Sequence, residues 1–333
     1  MEQEVEGMNL QRLNRIHAVI FALCLIFGVA AVARAKRQQN RVTLNGRDVT
    51  ILVTAHPHNE RSRVLADSLK PEDFSVREDN RPQRILSVKR TGETPPIVAV
   101  VIQDNLVSRV SNEIRGIKSF IRGLPEGSRV MTGYISVGSL RVTQDFTTDR
   151  ERAAASLRIL VSSQAAAPFS PYEQVLEALR RFDTQPQARR IMLLVSDGLD
   201  VSRGFRSASP ALAVELDRAI DEAQRRSVAV FAFYAPSVGL TSRSHLAVNF
   251  GQGCLNRMAD ETGGDAFFSG TDFVTFDPHF KELNYSLGHQ WLITYRSENL
   301  EHGFRKIEVK TDYDLELLHP SGYRLRTRDI PRP

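Results

Sequence analysis

Apolar positions along this chain fall into two registers, and their alternation outlines a fold. At 97–102 six apolar residues stand in a row, Ile-Val-Ala-Val-Val-Ile. A run of that kind suits a strand buried on both faces. A polar break follows at Gln103, Asp104 and Asn105. Val107, Val110, Ile114, Ile117 and Ile121 then recur at helical spacing, which predicts a helix over 107–123. The pattern repeats down the chain. Residues 130–137 and 140–146 read as strands around Gly138-Ser139, an antiparallel hairpin at a sheet edge. A helix is expected from Asp149 to about residue 161, and another from Pro171 through Val175, Leu176, Leu179 and Phe182. The apolar strand at 191–195 ends in Ser196-Asp197-Gly198. Leu212, Leu216, Ala219, Ile220 and Ala223 mark a helix, and 228–234 is a strand. A helix carrying Cys254, Leu255, Met258 and Ala259 is closed by Gly263-Gly264. A short strand at 266–268 and a helix with Phe280, Leu283 and Leu287 complete the set. Residues 94–289 therefore read as a doubly wound α/β domain, mostly parallel with one antiparallel edge strand.

The flanks follow a different rhythm. Over 41–93 apolar and polar residues alternate, as in Val49, Ile51 and Val53, with turn signals at Asn45-Gly46 and Asp79-Asn80. Residues 290–333 return to strands at 291–295, 305–310 and 315–317, with a last one within 320–327. Neither flank has enough apolar residues for a core of its own. The expectation is that they pair into one small β-domain, with the α/β domain inserted between them.

The first 35 residues read as an export signal. Arg12 and Arg15 precede an apolar run at 16–33, and Ala33-Arg34-Ala35 has the small-x-small pattern of a cleavage site. The run is also long enough to span a bilayer, so an uncleaved anchor through 16–35 is the rival reading. Either way the chain is expected outside the cytoplasm, periplasmic or extracellular.

Composition narrows the function. The net charge of +5 is spread along the chain, and no aromatic-basic module accompanies it, so nucleic acid is not an expected partner. The two cysteines, Cys24 and Cys254, lack the Cys/His spacing of a zinc site. No Gly-rich loop follows the first apolar strand, which argues against a nucleotide. Ser196 lacks the Gly-x-Ser-x-Gly surround of a hydrolase nucleophile. His245, His279, His289 and His302 are scattered, Cys254 and Trp291 read as core, and Asp145, Asp149 and Asp200 read as turn and cap residues. The Arg pairs at 180–181, 189–190 and 225–226 read as solvated helix ends.

The order of elements over 97–289 resembles the von Willebrand factor A fold. The features that carry the resemblance are the apolar strand ending at Asp104, the hairpin followed by Thr-Gln-Asp-Phe-Thr-Thr-Asp at 143–149, Leu-Leu-Val-Ser-Asp-Gly-Leu-Asp at 193–200, and Ala-Asp-Glu-Thr-Gly-Gly at 259–264. The flanking segments 69–85, 304–310 and 322–326 resemble a group of A-domain-related proteins common in acidobacteria. Members that bind a cation do so through a metal-ion-dependent adhesion site. It consists of a D-x-S-x-S loop, a Thr from a second loop and a distal Asp, which together hold Mg²⁺ or Mn²⁺ by oxygen atoms. Carried over by residue, the resemblance implies Asp104, Ser108, Ser170 and Asp197 as metal ligands. Leu106 stands where the first Ser belongs, so the site is incomplete. The other reading of the same residues has Asp104 capping the helix over 107–123 and Asp197 serving as a turn residue before Gly198.

The resulting expectation is a non-enzymatic, exported or anchored module that binds another protein through the loops 103–108, 162–170, 197–209 and 235–251. A metal-free structural component of the cell envelope is the alternative. A metal-assisted hydrolase would need a general base near Asp104 and Asp197, and the sequence offers none.

Overall fold

The computed structural model describes residues 46–57, 59–91, 94–186, 188–268, 275–299 and 301–325. The leader expected over 1–35 lies outside them. The chain divides into two units, 1–46 and 47–333, and the description below is of the second.

Its centre is a six-stranded sheet built from β5 (Ile97–Gln103), β6 (Arg129–Ser136), β7 (Ser139–Thr147), β8 (Arg190–Ser196), β9 (Val228–Tyr234) and β10 (Ala266–Phe268). The strand order is β10-β9-β8-β5-β6-β7. All neighbours are parallel except β7, which returns antiparallel along β6 at the edge. Every residue of β5, β8 and β9 is buried, as their unbroken apolar runs demand.

Successive side chains of a strand point to opposite faces, so each strand feeds two cores. Val98, Val100 and Ile102 pack with Ile117 and Ile121 of α2 (Ile114–Gly123) and with Phe280 and Leu283 of α7 (Asp277–Gly288). Ala99 and Val101 face the opposite layer. There Val175 and Leu179 of α4 (Pro171–Arg180), Leu216 and Ile220 of α5 (Val214–Arg225), and Cys254, Leu255 and Met258 of α6 (His245–Thr262) close the core.

The flanks form two further four-stranded sheets. One has the order β13-β1-β11-β4, from β13 (Glu316–Leu318), β1 (Arg47–His56), β11 (Gln290–Ser297) and β4 (Arg84–Arg90). The other is β14-β12-β2-β3, from β14 (Gly322–Leu325), β12 (Gly303–Lys310), β2 (Ser75–Glu78) and β3 (Arg81–Pro82). Strands from before and after the α/β layer thus pair directly: β1 with β11, and β2 with β12, both antiparallel. Ile51, Val53, Val76, Ile293, Tyr295 and Ile307 share their core, and Trp291 packs on Phe74 with ring centroids 5.1 Å apart.

Several elements differ from the reading of the sequence. Glu60–Ser68 is a helix, α1, where strands and turns were expected. Its cap explains it: the Ser62 amide donates to Asn59 Oδ1 at 2.8 Å and the Asn59 amide to Ser62 Oγ at 2.9 Å. The segment after β5 begins as 3-10 helix over Ser108–Glu113, and the α-helix starts only at Ile114. Asp149 does cap a helix, α3, but that helix ends at Ala155 rather than near 161. Conversely, α6 starts at His245, so the loop after β9 is shorter than expected. Arg189, Arg190 and Arg226 are buried rather than solvated. Arg189 donates to the carbonyls of Thr91, Thr94 and Leu287 and to Gln290 Oε1, which ties the flank to the α/β layer. Burial pushes the Arg189 guanidinium down to about 10.

Candidate functional site

The carboxyl edge of a parallel sheet is where its loops converge, and β5 and β8 deliver one carboxylate each to it. Asp104 follows β5 and Asp197 follows β8, two strands paired in register from Ile97–Arg190 to Ile102–Val195. Gln103 bridges them. Its Oε1 accepts from Ser196 Oγ at 2.6 Å and from the Asp197 amide at 3.3 Å, and its Nε2 donates to Asn105 Oδ1 at 2.7 Å.

Asp104 is fully buried and holds a guanidinium. Arg158 donates through Nη1 to Oδ1 at 2.9 Å and through Nη2 to Oδ2 at 2.8 Å. The Val161 amide adds a bond to Oδ1 at 2.9 Å. Burial raises the Asp104 pKa, but the Arg158 guanidinium and the Val161 amide outweigh it and hold the carboxyl below the ordinary aspartate value. Arg158 is itself fixed. Its guanidinium lies 4.1 Å from the ring centroid of Tyr134, whose hydroxyl bonds both the amide and the carbonyl of Arg158 at 2.8 Å. Tyr134 comes from the middle of β6, so the sheet itself anchors the arginine.

The segment 156–170 owes its path to that anchor. Past Ala155 the chain leaves the helix and crosses the sheet edge, and the Ser162 amide donates to the Asp104 carbonyl at 2.9 Å. Asp104 therefore organises a loop and caps no helix; the N-cap position before Ser108 is Val107.

The other implied ligands are engaged apart from it. Ser108 is exposed at the start of the 3-10 turn. Ser170 donates to Asp200 Oδ2 at 3.0 Å, and Asp200 Oδ1 also takes the Ser202 amide at 2.9 Å. Asp197 is buried. It accepts from the Leu199 amide and from Thr241 Oγ, each at 3.2 Å, and burial pushes its pKa above the ordinary aspartate value. Leu106, in the place of the first serine, is fully buried and its backbone forms an isolated bridge with Ser237.

Glycines allow the Asp197 loop to lie flat against α6. Gly198 has φ +69°, and a Cβ there would meet Gly251 O at 2.3 Å; a Cβ at Gly251 would meet Asp197 O at 2.0 Å.

The residues do not fit an octahedral Mg²⁺ or Mn²⁺. Both oxygens of Asp104 face a guanidinium, position 106 offers no oxygen, and the Ser170 hydroxyl is directed to Asp200. Sequence spacing gave no hint of Arg158, which lies 54 residues from Asp104 in an apparently helical stretch. A basic residue between apolar positions carries no signal of its own.

The loops of this edge also expose apolar side chains. Ile159, Val161 and Phe169 of the crossing segment are exposed, as are Val137 in the β6–β7 turn and Leu240 beyond β9. Backbone bonds join these pieces: the Val137 amide to Ala166 O at 3.2 Å and the Val201 amide to Phe169 O at 2.9 Å.

No protein-family model matches this chain, and no curated protein matches it. Among solved structures, it is similar to an aerotolerance-related membrane protein from Bacteroides fragilis carrying multiple mutations to serine. That match covers 58% of this chain and 98% of the other, at 13% identity and a TM-score of 0.42. The BatB protein of Bacteroides thetaiotaomicron matches over 58% and 96%, at 15% identity and TM-score 0.41. Manganese-loaded TRAP protein of Plasmodium vivax matches over 72% and 83%, at 10% identity and TM-score 0.37. The strand order, the antiparallel edge strand β7 and the helices on both faces are those of a von Willebrand factor A-type fold.

Proposed function

We propose that this von Willebrand factor A-type chain is an exported protein-binding module that works without a metal ion. Its recognition surface is the rim of loops at the carboxyl edge of the central sheet. The observation that carries this reading is the bidentate Arg158–Asp104 pair. In a metal-dependent site a divalent cation gathers the loops and offers its open position to an acidic group of the partner. Here a guanidinium, fixed by Tyr134 and neutralised by Asp104, does the gathering beside a surface of exposed apolar side chains. Exposed apolar side chains grouped on the loops of one edge mark an interaction surface. No helix among the described residues is long and apolar enough to cross a membrane, and export rests on the expected leader alone.

The test is site-specific photocrosslinking in the native cell, with a photoreactive phenylalanine at Phe169 and, for comparison, at Phe304, which is exposed on β12. The reading expects a discrete adduct from position 169 that survives EDTA and disappears when Arg158→Glu is added to a chain that still folds. An adduct from position 304 alone would move the contact to the β-domain and favour an envelope-assembly role. An adduct lost in EDTA and restored by Mg²⁺ would refute metal independence.

A further inference from the structure

A second constellation lies away from the loop rim, where the end of β1, the start of β10 and the middle of α7 meet. We infer that His56, Asp265 and Glu282 form a binding site for a divalent transition-metal ion of the zinc class. One donor atom from each of the three lies within 4.8 Å of the others. His56 Nδ1 is 4.0 Å from Asp265 Oδ2, and His56 Nε2 is 3.8 Å from Glu282 Oε1. These separations are too long for hydrogen bonds. The two contacts use opposite ring nitrogens, of which one ion takes only one. The donor set for a single ion is the trio of atoms within 4.8 Å of one another, which must close toward the roughly 3.4 Å that zinc bonds of about 2.0–2.1 Å set between tetrahedral neighbours.

Burial gives the group direction. The side chains of His56 and Asp265 are 16% and 26% exposed, and His56 Nδ1 is buried with no hydrogen-bond partner. A buried imidazole nitrogen left unbonded beside a carboxylate is costly unless something fills the space. Asp265 is held in place by its own backbone, whose carbonyl takes the Ala232 amide at 2.9 Å. Glu282 stands by Nε2 and is 48% exposed on a helix face, free to swing toward the Nδ1 side and complete the set.

The donor chemistry selects the ion. One imidazole with two carboxylates suits zinc or a similar borderline metal, whereas Mg²⁺ and Ca²⁺ prefer oxygen alone. Two carboxylates also neutralise a doubly charged ion. Three protein ligands leave one position open. Beside it lies a cavity of about 760 Å³ lined by His56, Asn59, Arg63, Lys281, Glu282 and Tyr285. The ion would tie the last residue of β1, in the flanking sheet, to two elements of the α/β layer.

The experiment uses the full chain, stripped with chelator and titrated with Zn²⁺ against a competing indicator, with Co²⁺ as a spectroscopic probe. One Zn²⁺ per chain is expected, with a rise in Tm at pH 7.5, and visible Co²⁺ bands of the intensity that marks low coordination number. Glu282→Gln, on a half-exposed helix face, should weaken Zn²⁺ at least tenfold with unchanged circular dichroism. His56→Ala should abolish the Co²⁺ bands. Absence of Zn²⁺ binding at micromolar concentration would overturn the inference, as would binding that both variants leave intact. The outcome is independent of the metal-free reading of the Asp104 edge.

Discussion

Replacing Arg158 by Met removes the guanidinium while keeping much of its aliphatic length. Asp104 would then be a fully buried carboxylate with the Val161 amide as its main remaining donor. Removing one partner of a fully buried pair costs about 3–5 kcal/mol. The Arg158 side chain is 39% exposed, so water enters from its side and screens part of the loss; about 2–3 kcal/mol is the better expectation. For a unit of this size that corresponds to a fall in Tm of roughly 4–10 °C. The assay is urea and thermal unfolding of the parent, Arg158→Met, Asp104→Asn and the double variant. The double variant should lose less than the two single losses added, because neither charge is then stranded. The pH dependence follows from the lowered folded-state pKa of Asp104. Its contribution is fully present above the unfolded aspartate pKa and is lost as pH falls through the lower folded value. The gap between parent and Arg158→Met should therefore narrow in acid. Amide exchange at Val161 and Ser162 should quicken in the variant, since both amides bond Asp104. A single variant within about 0.5 kcal/mol of the parent, or strict additivity in the cycle, would refute the claim that this pair organises the edge.

Two further outcomes are expected. Calorimetry should find no Mg²⁺ or Mn²⁺ bound at Asp104 in the parent at millimolar metal, whereas Leu106→Ser with Arg158→Ala should gain a weak site that Asp197→Ala removes. Asp197→Asn should keep the Leu199 bond, reverse the Thr241 one so that Nδ2 donates to Thr241 Oγ1, and lose the penalty of a buried charge, so at pH 7 it should equal the parent or exceed it by up to about 1 kcal/mol in urea unfolding. Because burial raises the folded pKa of Asp197, the parent gains stability as pH falls through that value toward the unfolded one. The advantage of the variant should vanish there, and its persistence in acid would contradict the stated cause.

Hydrophobic periodicity was enough to place the central sheet and its covering helices. A strand such as 97–102, apolar at every position, has no stable setting except between two layers, and helices spaced like Ile114, Ile117 and Ile121 supply them. The same logic put Asp104 and Asp197 at the carboxyl edge and Asp149 at a helix cap, since each stands where an apolar run stops or a helix begins. It failed where a local pattern had two outcomes. Apolar Ile159 and Val161 read as a continuing helix, yet the chain leaves the helix at Ala155 because the Asp104 carboxylate captures Arg158 and Val161. The short helix α1 rests on one cap and on little apolar surface, of which Ala66 is the buried part, too little for periodicity to show. Tertiary structure alone decided the partners of charge. Arg158 reaches across 54 residues to Asp104, Arg189 turns inward to carbonyls from the flank, and His56 meets Asp265 and Glu282 from distant parts of the chain. Helix and strand formation repeat every few residues and leave a trace in the sequence. An ion pair or a ligand set needs only one meeting in space, and its members carry no spacing that would announce it.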